Sequence, residues 1–342
     1  MRVAFIGGGT GGHLTPAIGI AEGMIARGHQ VEFWLSGRQV ELDYVNDNLP
    51  HKSLNIDNSR LPRHLAALKA FPTVRKYCQD FDPQVLVSLG GYAGATALAA
   101  RRRPIVCLEG NVVVGKSVRV VSRFAKRTLV MFNETAKSLP RATIVGPISR
   151  AAVVQPSREQ AYAKFKLKPD VKTLLVMGGS QGAVALNNCV LDMLPQIQKS
   201  GWQLLCLTGT GKHHALQQAV DDLGVAATIL ENCNDMGSAY ACADLMLSRG
   251  GASTLAEVWL NQLPTLVMPY KHHDMQQQRN AEQLSPGVLL FDGSHASRTE
   301  LLDIMACDQR RSDMRMALAE SLVGDGTQIA CDCLEEIGGR KS

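Results

Sequence analysis

The sequence predicts an α/β protein with two doubly wound parallel-sheet domains that face each other across a cleft. Short β-branched runs alternate with amphipathic stretches along the chain, a pattern typical of parallel strands joined by helices. The 342 residues are enough for two domains of roughly 100–200 residues each. Residues 3–13 and 173–183 both read as a strand, a glycine-rich turn and a helix. The same folding unit therefore begins twice.

In the first half, five apolar runs predict buried strands at residues 3–6, 31–35, 85–89, 105–108 and 128–131. The stretches between them have helical spacing and predict helices at residues 15–27, 63–79, 93–101 and 116–125. Thr15 and Pro16 place the start of the first helix, because threonine is a good N-cap and proline fits the first turn.

The second half repeats the pattern, with strands predicted at residues 173–177, 203–207, 227–230, 245–247 and 265–268. Helices are predicted at residues 183–198, 212–223, 252–260 and 275–284. The polar segment 150–158 predicts a boundary between an N-terminal domain, 1–150, and a C-terminal domain, 151–342. The last helix of the C-terminal domain could pack back on the N-terminal domain. Ligands of open parallel sheets bind beyond the carboxyl ends of the strands, so both glycine turns should point into the cleft.

Composition excludes several classes of protein. Apolar residues make up 45% and charged residues 20% of the chain, which is typical of a folded protein with a large core. The longest mostly apolar stretch, 85–100, is interrupted by glycines, so no segment provides the roughly 20 apolar residues of a spanning helix. The apolar run 3–6 is too short for a signal peptide. These features predict a protein that stays in the cytoplasm.

The nine cysteines are odd in number and scattered, which favours reduced core residues over disulfides. Cys331 and Cys333 lie in a predicted C-terminal helix without histidines at zinc-ligand spacing. The run 80–82 reads Asp-Phe-Asp, but it precedes a strand at the end opposite the ligand face and predicts a turn. We therefore expect neither a metal nor a cofactor.

The net charge of +5 is divided unevenly, with 20 Lys and Arg against 10 Asp and Glu in residues 1–150 and 16 against 21 in residues 151–342. A basic half suits nucleic acid, an anionic membrane surface or a phosphorylated substrate.

Basic and apolar residues alternate around Pro72, which predicts an amphipathic, broken helix that could lie on anionic lipid. The alternative is a core-packed helix with solvated charges. The basic members are Arg60, Arg63, Lys69, Arg75 and Lys76, and Arg101–Arg103 add a second cluster.

The first glycine turn, residues 7–12, satisfies G-x-G-x-x-G and permits a nicotinamide-dependent oxidoreductase. Against that hypothesis, Glu32 lies within the second strand and not past its end, where a ribose-binding carboxylate belongs. His13 follows the glycines on the lip of the loop, where a histidine can accept a proton near neutral pH. An ordinary capping or surface histidine is the alternative.

Two further glycine turns, 178–182 and 249–254, each precede a helix and offer backbone N–H groups to an anion. Glu257 lies in the second turn of the later helix, where a carboxylate can accept hydrogen bonds from a ribose diol. The polar run 270–280 supplies consecutive amides for sugar hydroxyls. His272, His273 and Asp274 lack metal-ligand spacing. A nucleotide sugar therefore fits better than a bare nucleotide.

These residues together resemble the two-domain, Rossmann-like glycosyltransferases of GT-B architecture, and within them the MurG family of undecaprenyl-diphospho-muramoylpentapeptide β-N-acetylglucosaminyltransferases. The matching segments run in order along nearly the whole chain: GGTGGH (8–13), LGGYAG (89–94), EGN (109–111), GGSQGA (178–183), NDM (234–236), ADLMLSRGGASTLAE (243–257) and HHDMQQQRNA (272–281).

The resemblance implies an inverting, metal-independent transfer of N-acetylglucosamine from UDP-N-acetylglucosamine to the 4-hydroxyl of undecaprenyl-diphospho-muramoylpentapeptide, the step from lipid I to lipid II in peptidoglycan synthesis. It assigns the lipid acceptor to the N-terminal domain and the donor to the C-terminal domain. The implied location is peripheral, on the cytoplasmic face of the cell membrane. The implied partners are the two substrates and an anionic membrane surface, not nucleic acid.

The resemblance also implies individual roles. His13 is the favoured catalytic base and Glu109 is its rival. The residues implied at UDP-N-acetylglucosamine are Thr10, Gly11, Gly12, Asn111, Arg150, Ser180, Cys233, Gly250, Gly251, Ala252, Ser253, Glu257, Gln276 and Gln277. Among them Glu257 would hold the ribose, the backbone near Cys233 the uracil, and Arg150 the diphosphate. The residues implied at the acceptor diphosphate are Gly9, Thr10, Gly90, Gly91 and Tyr92.

Two segments depart from the family pattern. Its usual HEQN reads Leu-Glu-Gly-Asn at 108–111, and its GNPVR reads Gly-Pro-Ile-Ser-Arg at 146–150. Three alternatives to the leading hypothesis therefore stay open: a related UDP-sugar transferase acting on another lipid, a non-catalytic nucleotide-sugar binder, and a UDP-sugar epimerase of similar fold.

Overall fold

The computed structural model describes residues 1–8, 11–45, 49–57, 59–150, 156–179, 182–270 and 275–339. The chain divides into two compact units, residues 1–150 with 323–342, and residues 151–322. None of the helices within the described ranges combines the length and the hydropathy that crossing a bilayer requires.

The first unit contains seven parallel strands: β1 (Arg2–Ile6), β2 (Gln30–Leu35), β3 (His51–Ser53), β4 (Val85–Ser88), β5 (Ile105–Glu109), β6 (Arg127–Val130) and β7 (Ala142–Ile144). They form one sheet in the order β3-β2-β1-β4-β5-β6-β7. Every residue of β4 and β5 is buried, as expected for parallel strands covered on both faces. The strand order reverses between β1 and β4, which creates a crevice where the two following loops diverge.

The helices of this unit are α1 (Gly11–Ala26), α2 (Gln39–Val45), α3 (Arg63–Lys69), α4 (Phe71–Phe81), α5 (Gly91–Ala95), a 3-10 helix (Thr96–Ala100), α6 (Lys116–Val121) and α7 (Asn133–Lys137). The helix predicted over 63–79 is two helices, because Pro72 occupies the first turn of α4 and begins a new helix there. The amphipathic segment is therefore broken at the proline, as predicted.

The second unit repeats the design with six parallel strands: β8 (Thr173–Met177), β9 (Gln203–Leu207), β10 (Ala227–Leu230), β11 (Leu245–Ser248), β12 (Thr265–Val267) and β13 (Val288–Leu290). Their order is β10-β9-β8-β11-β12-β13, so the reversal lies between β8 and β11. Its helices are α8 (Arg158–Phe165), α9 (Val184–Lys199), α10 (His214–Leu223), α11 (Met236–Cys242), α12 (Ala252–Leu260), α13 (Gln276–Glu282), α14 (His295–Ala306) and α15 (Asp308–Ser321).

The last helix, α16 (Gly326–Gly339), lies in the first unit and packs against α1. Small residues permit this contact: a Cβ on Gly23 of α1 would lie 2.9 Å from Cys331 Sγ, and one on Gly326 would lie 2.2 Å from the Pro147 carbonyl oxygen. Arg27 pairs with Glu335 at 2.9 Å. The C-terminal residues 323–342 thus belong to the compact unit of residues 1–150.

The predicted α/β class with two parallel sheets is confirmed, and the ten predicted strands lie within about one residue of observed ones. Three strands escaped prediction, β3, β7 and β13, each of three residues. All three lie at the edges of their sheets. Such short runs carry too little hydrophobic periodicity to be recognised, because only their neighbours in the sheet make them strands.

The predicted start of the first helix is wrong. Helix α1 begins at Gly11, so Thr15 and Pro16 lie inside it and not at its N-cap. A proline ring is tolerated near a helix start because the first four N–H groups have no acceptor within the helix. Pro16 is one turn further in than that rule expects. His13 consequently lies in the first turn of α1 and not on a loop ahead of it.

Candidate functional site

Glycine turns follow β1 and β4 in the first unit, on the two sides of the crevice. A Cβ on Gly7 would lie 2.6 Å from Leu89 Cβ, and one on Gly91 would lie 3.4 Å from the Gly8 carbonyl oxygen. Gly90 and Gly91 also have φ of +82° and +65°, a region that favours glycine. The turns after β1 and β4 thus approach each other because they lack side chains.

His13 lies next to these turns and is half-buried. Its Nδ1 is 3.3 Å from the Gly8 carbonyl oxygen, which can only accept a hydrogen bond. This contact assigns the proton to Nδ1 and leaves Nε2 as an acceptor. A Cβ on Gly90 would lie 3.9 Å from Nε2. The ring nitrogen that can take up a proton is therefore directed toward the turn after β4.

Glu109 ends β5 and is 4% exposed. Its Oε1 accepts hydrogen bonds from the backbone N–H of Asn111 at 3.0 Å and from Asn111 Nδ2 at 3.1 Å. Its Oε2 accepts from the backbone N–H of Gly115 at 2.9 Å. Three donors hold the carboxylate within its own loop. The structure therefore uses Glu109 to shape residues 111–115 and to orient the Asn111 amide.

The structure describes the surroundings of three more residues of the first unit that the sequence predicts at the substrate sites. Gly12 is exposed in the first turn of α1, and the Tyr92 side chain is 51% exposed on α5. The Arg150 guanidinium lies 5.9 Å from the centroid of the Tyr44 ring, within the range of a cation–π contact. Its buried Nε has no hydrogen-bond partner among the residues that the structure describes, and such a donor is costly unless a ligand or water satisfies it.

In the second unit the turn after β11 meets the start of α13. A Cβ on Gly250 would lie 2.4 Å from the Gln277 carbonyl oxygen, and Asn280 Nδ2 donates to the Gly250 carbonyl oxygen at 3.3 Å. Gln277 Oε1 in turn accepts from the Tyr270 N–H at 2.8 Å. The predicted residues Gly250, Gly251, Gln276 and Gln277 are thereby brought together. Ala252 and Ser253 are the first two residues of α12, and the N-terminus of a helix suits an anion.

Glu257 lies one turn further along α12 and is 7% exposed. Tyr240 Oη on α11 donates to Glu257 Oε2 at 2.5 Å. A buried carboxylate with a fixed plane thus lies behind the glycine turn of residues 249–251.

Cys233 follows β10 and lines a cavity of about 480 Å³, within the size range of small-ligand pockets. The other lining residues are Lys164, Phe165, Lys166, Thr228, Leu230, Asn232, Asn234 and Asp235. Burial raises the pKa of the Cys233 thiol, so the thiol stays protonated near neutral pH and is a poor nucleophile. The Cys233 thiol is therefore not suited to covalent chemistry.

The other glycine turns and the possible metal ligands are only partly within the described residues. Gly9, Thr10, Ser180, His272, His273 and Asp274 lie outside the described residues, as does the side-chain environment of Gly11. Gly182 has φ of +67°, and a Cβ there would lie 2.1 Å from the Thr208 carbonyl oxygen. Asp82 caps α4 in the left-handed conformation and pairs with Arg2 and Arg103, as expected of a turn. The described residues contain no cluster of three His, Cys, Asp or Glu side chains suited to a metal.

Two family models match this chain. Residues 3–130 match the glycosyltransferase family 28 N-terminal domain, and residues 173–288 match the glycosyltransferase family 28 C-terminal domain. The chain belongs to glycosyltransferase family 28. The resemblance recognised from the motifs is therefore confirmed, and the protein is a glycosyltransferase.

Individual relatives and solved structures resemble this glycosyltransferase over nearly its full length. A protein of Desulforamulus reducens named UDP-N-acetylglucosamine–N-acetylmuramyl-(pentapeptide) pyrophosphoryl-undecaprenol N-acetylglucosamine transferase is 33% identical, over 98% of this chain and 99% of the relative. The crystal structure of Acinetobacter baumannii MurG superposes with a TM-score of 0.79 at 24% identity, over 98% of this chain and 99% of that chain. A Neisseria meningitidis UDP-GlcNAc 2-epimerase bound to UDP-GlcNAc has a TM-score of 0.70 at 11% identity, over 98% of this chain and 100% of that chain. These two structures show the GT-B fold, which transferases and epimerases share.

Sequence reasoning missed two residues of the glycosyltransferase site region. Tyr240 stands in the apolar run 236–242 and reads as a core residue, and only its position opposite Glu257 reveals its partner. Thr208 supplies the carbonyl that Gly182 approaches. A local signal for α11 was present, because Asp235 precedes the helix and accepts from the Ser238 N–H at 3.0 Å as an N-cap.

Two neighbouring glycines of the turn after β11 should respond differently to alanine. Gly250→Ala places a Cβ against the Gln277 backbone, so we expect a loss of about 1–3 kcal/mol in the free energy of unfolding. Gly251→Ala is the matched control, because its Cβ would meet nothing closer than Thr254 Oγ1 at 4.0 Å, and we expect a change within about 0.5 kcal/mol. Chemical denaturation measures both. Equal stability of the two variants would contradict the close approach.

Proposed function

We propose that this glycosyltransferase transfers N-acetylglucosamine from UDP-N-acetylglucosamine to the 4-hydroxyl of undecaprenyl-diphospho-muramoylpentapeptide, with inversion and without an obligatory metal. The observation that carries the proposal is the convergence, at the reversal point of the second sheet, of the turn 249–251, the start of α13 and Glu257. The nearly full-length likeness to a relative named for this reaction supports the same substrates.

The second unit is proposed to hold the donor. N–H groups of Gly250, Gly251, Ala252 and Ser253 face the diphosphate at the start of α12, where the helix dipole favours negative charge. Glu257 accepts hydrogen bonds from the ribose, and the backbone near Cys233 reads the uracil beside the 480 Å³ cavity. The amides of Gln276, Gln277 and Asn111 are assigned to the sugar. Thr10, Gly11, Gly12, Ser180 and Arg150 complete the proposed set.

The first unit is proposed to hold the acceptor, with Gly9, Thr10, Gly90, Gly91 and Tyr92 at its diphosphate. His13 Nε2 takes the proton from the attacking 4-hydroxyl as the new bond to the anomeric carbon forms. The bond from that carbon to the UDP oxygen breaks, and UDP leaves with the electron pair. Backbone N–H groups and the Arg150 guanidinium stabilise the charge that develops on UDP. No step in this scheme requires a metal ion.

The decisive experiment incubates the protein with labelled UDP-N-acetylglucosamine and the muramoylpentapeptide lipid, with and without EDTA. We expect UDP release that depends on the acceptor, a β-linked disaccharide lipid, and activity that persists in EDTA. Loss of activity in EDTA with recovery on adding a divalent cation would contradict the metal-free mechanism. The altered segments 108–111 and 146–150 make a different lipid acceptor the first alternative to test. Donor binding without transfer to any lipid would identify a non-catalytic binder.

The two candidate bases are separated by mutation. His13→Ala removes the favoured proton acceptor, so we expect kcat to fall by about 10²- to 10⁴-fold while UDP binds as before. Glu109→Gln replaces a carboxylate oxygen by an NH₂ group that faces a backbone N–H, so we expect the loop 111–115 to be perturbed and KM to rise with a smaller loss of kcat. Steady-state kinetics and calorimetry with UDP measure these effects. An unchanged kcat in His13→Ala would exclude His13 as the base.

We also propose that the first unit docks on an anionic membrane at the cytoplasmic face. Helix α5 packs against both α3 and α6, so these helices share one side of the unit. On it Leu65 and Leu68 are 43% and 58% exposed, and Val120 and Phe124 are 48% and 53% exposed. Arg63, Lys69, Arg119 and Arg123 stand beside them in the sequence. An exposed apolar patch rimmed by cations is suited to anionic lipid.

Sedimentation with phosphatidylglycerol vesicles tests the docking surface. We expect binding at low salt that weakens as salt is added, because the cations of the patch contribute electrostatically. The double variant Leu68→Glu/Phe124→Glu should lose most of the binding. Met316→Glu is the matched control, since Met316 is 50% exposed in the other unit. Equal binding by the double variant and the control would overturn the assignment.

A further inference from the structure

Tyr240 is almost completely buried, at 2% exposure, yet its hydroxyl is directed at a site residue. It donates to Glu257 Oε2 at 2.5 Å, and Glu257 itself is 7% exposed. The terminal torsion of a glutamate is broad, so the carboxylate plane needs an outside contact to become fixed. A tyrosine supplies that contact at low entropic cost, because its rigid ring has few rotatable bonds.

Tyr240 is held in place by the helix that carries it. Helix α11 is buried from Gly237 to Cys242. Its N-cap, Asp235, accepts from the Ser238 N–H at 3.0 Å and pairs with Lys164 of α8. Hydrogen bonds from Lys164 and Ser238 lower the pKa of Asp235 to about 2, so the cap stays ionised at neutral pH. The helix start is therefore firmly fixed.

The same helix begins directly after the loop that contains Cys233. That loop lines the 480 Å³ cavity on one side of Asp235, and Tyr240 lies about one turn further along α11 and reaches Glu257 on α12. One short helix thus connects the cavity that suits a base to the carboxylate that suits a ribose. Its length and its cap set the spacing between these two points of contact.

We propose that Tyr240 is a positioning residue that orients the Glu257 carboxylate toward the 2′- and 3′-hydroxyls of the donor's ribose. This inference rests on the proposed function, in which Glu257 binds that ribose. Tyr240 touches no substrate and acts only through Glu257. It contributes to the preference for a ribonucleotide over a nucleotide that lacks both hydroxyls.

The experiment compares Tyr240→Phe with the wild type by calorimetry, using UDP and 2′,3′-dideoxy-UDP as probes. We expect the wild type to prefer UDP, and the variant to bind UDP about tenfold more weakly while binding the dideoxy nucleotide as before. Kinetically, KM for the donor should rise by a similar factor and kcat should change little. A merely structural role would weaken both nucleotides alike, which would overturn the proposal.

Tyr162→Phe is the matched control. Tyr162 is also buried in the second unit, at 4% exposure, and its hydroxyl is bonded to Arg158 outside the proposed site. The same loss of one buried hydroxyl there should leave the preference for UDP over the dideoxy nucleotide unchanged. An equal loss of preference in both variants would contradict a specific role for Tyr240.

A double variant covers the case in which Tyr240→Phe folds poorly. The double variant Tyr240→Phe/Glu257→Gln removes the carboxylate together with its hydroxyl partner, so no charged carboxylate is left buried without that hydrogen bond. Because Tyr240 acts through Glu257, the double variant should bind UDP as Glu257→Gln alone does. Additive losses would overturn the inference. If the wild type does not distinguish UDP from the dideoxy nucleotide, the ribose role of Glu257 fails and the inference fails with it. If Glu257→Gln loses the preference and Tyr240→Phe keeps it, only the inference fails.

Discussion

Close approach of backbone to backbone at the carboxyl ends of the strands is the constraint on which each unit depends. In the first unit the turn after β1 meets the turn after β4, and in the second the turn after β11 meets α13. A Cβ on Gly7, Gly182 or Gly250 would lie 2.1 to 2.6 Å from a neighbouring atom, closer than real Cβ atoms come. Without side chains, these turns can present N–H groups at a helix start, which is what binding a diphosphate requires.

Three carboxylates of the chain have different surroundings, although their side chains are chemically similar. Glu109 is surrounded by three N–H donors of its own loop and therefore shapes that loop. Glu257 receives a tyrosine hydroxyl on one oxygen and lies behind the glycine turn of residues 249–251. Asp82 is paired with two arginines at the opposite end of the strands. Composition does not distinguish these three, because only the folded backbone brings each carboxylate to its partners, which lie in its own loop for Glu109 and far along the chain for Asp82 and Glu257.

The uneven charge of the chain can be counted for each of the two compact units. Because residues 323–342 add four acidic and two basic residues to the first unit, that unit has 22 Lys and Arg against 14 Asp and Glu, and the second has 14 against 17. The basic excess stays with the unit that exposes Leu68 and Phe124 beside arginines. A net negative charge on the second unit is compatible with the proposed binding of UDP there, since backbone N–H groups and helix dipoles attract an anion locally.

The sequence by itself determined the parallel α/β class, the two glycine-initiated units and the family. These properties are local, because apolar runs, glycine turns and ordered motifs act over a few residues. Tertiary structure alone decided that α16 packs on α1, that Glu109 is held by Asn111 and Gly115, and that Tyr240 meets Glu257. The structure also places the start of α1 at Gly11, before the N-cap that the sequence predicts at Thr15. The packing of α16 on α1 and the contact of Tyr240 with Glu257 join residues that lie far apart in the sequence. The bonds of Glu109 and the start of α1 depend on the backbone path of their loops, which residue types alone do not fix.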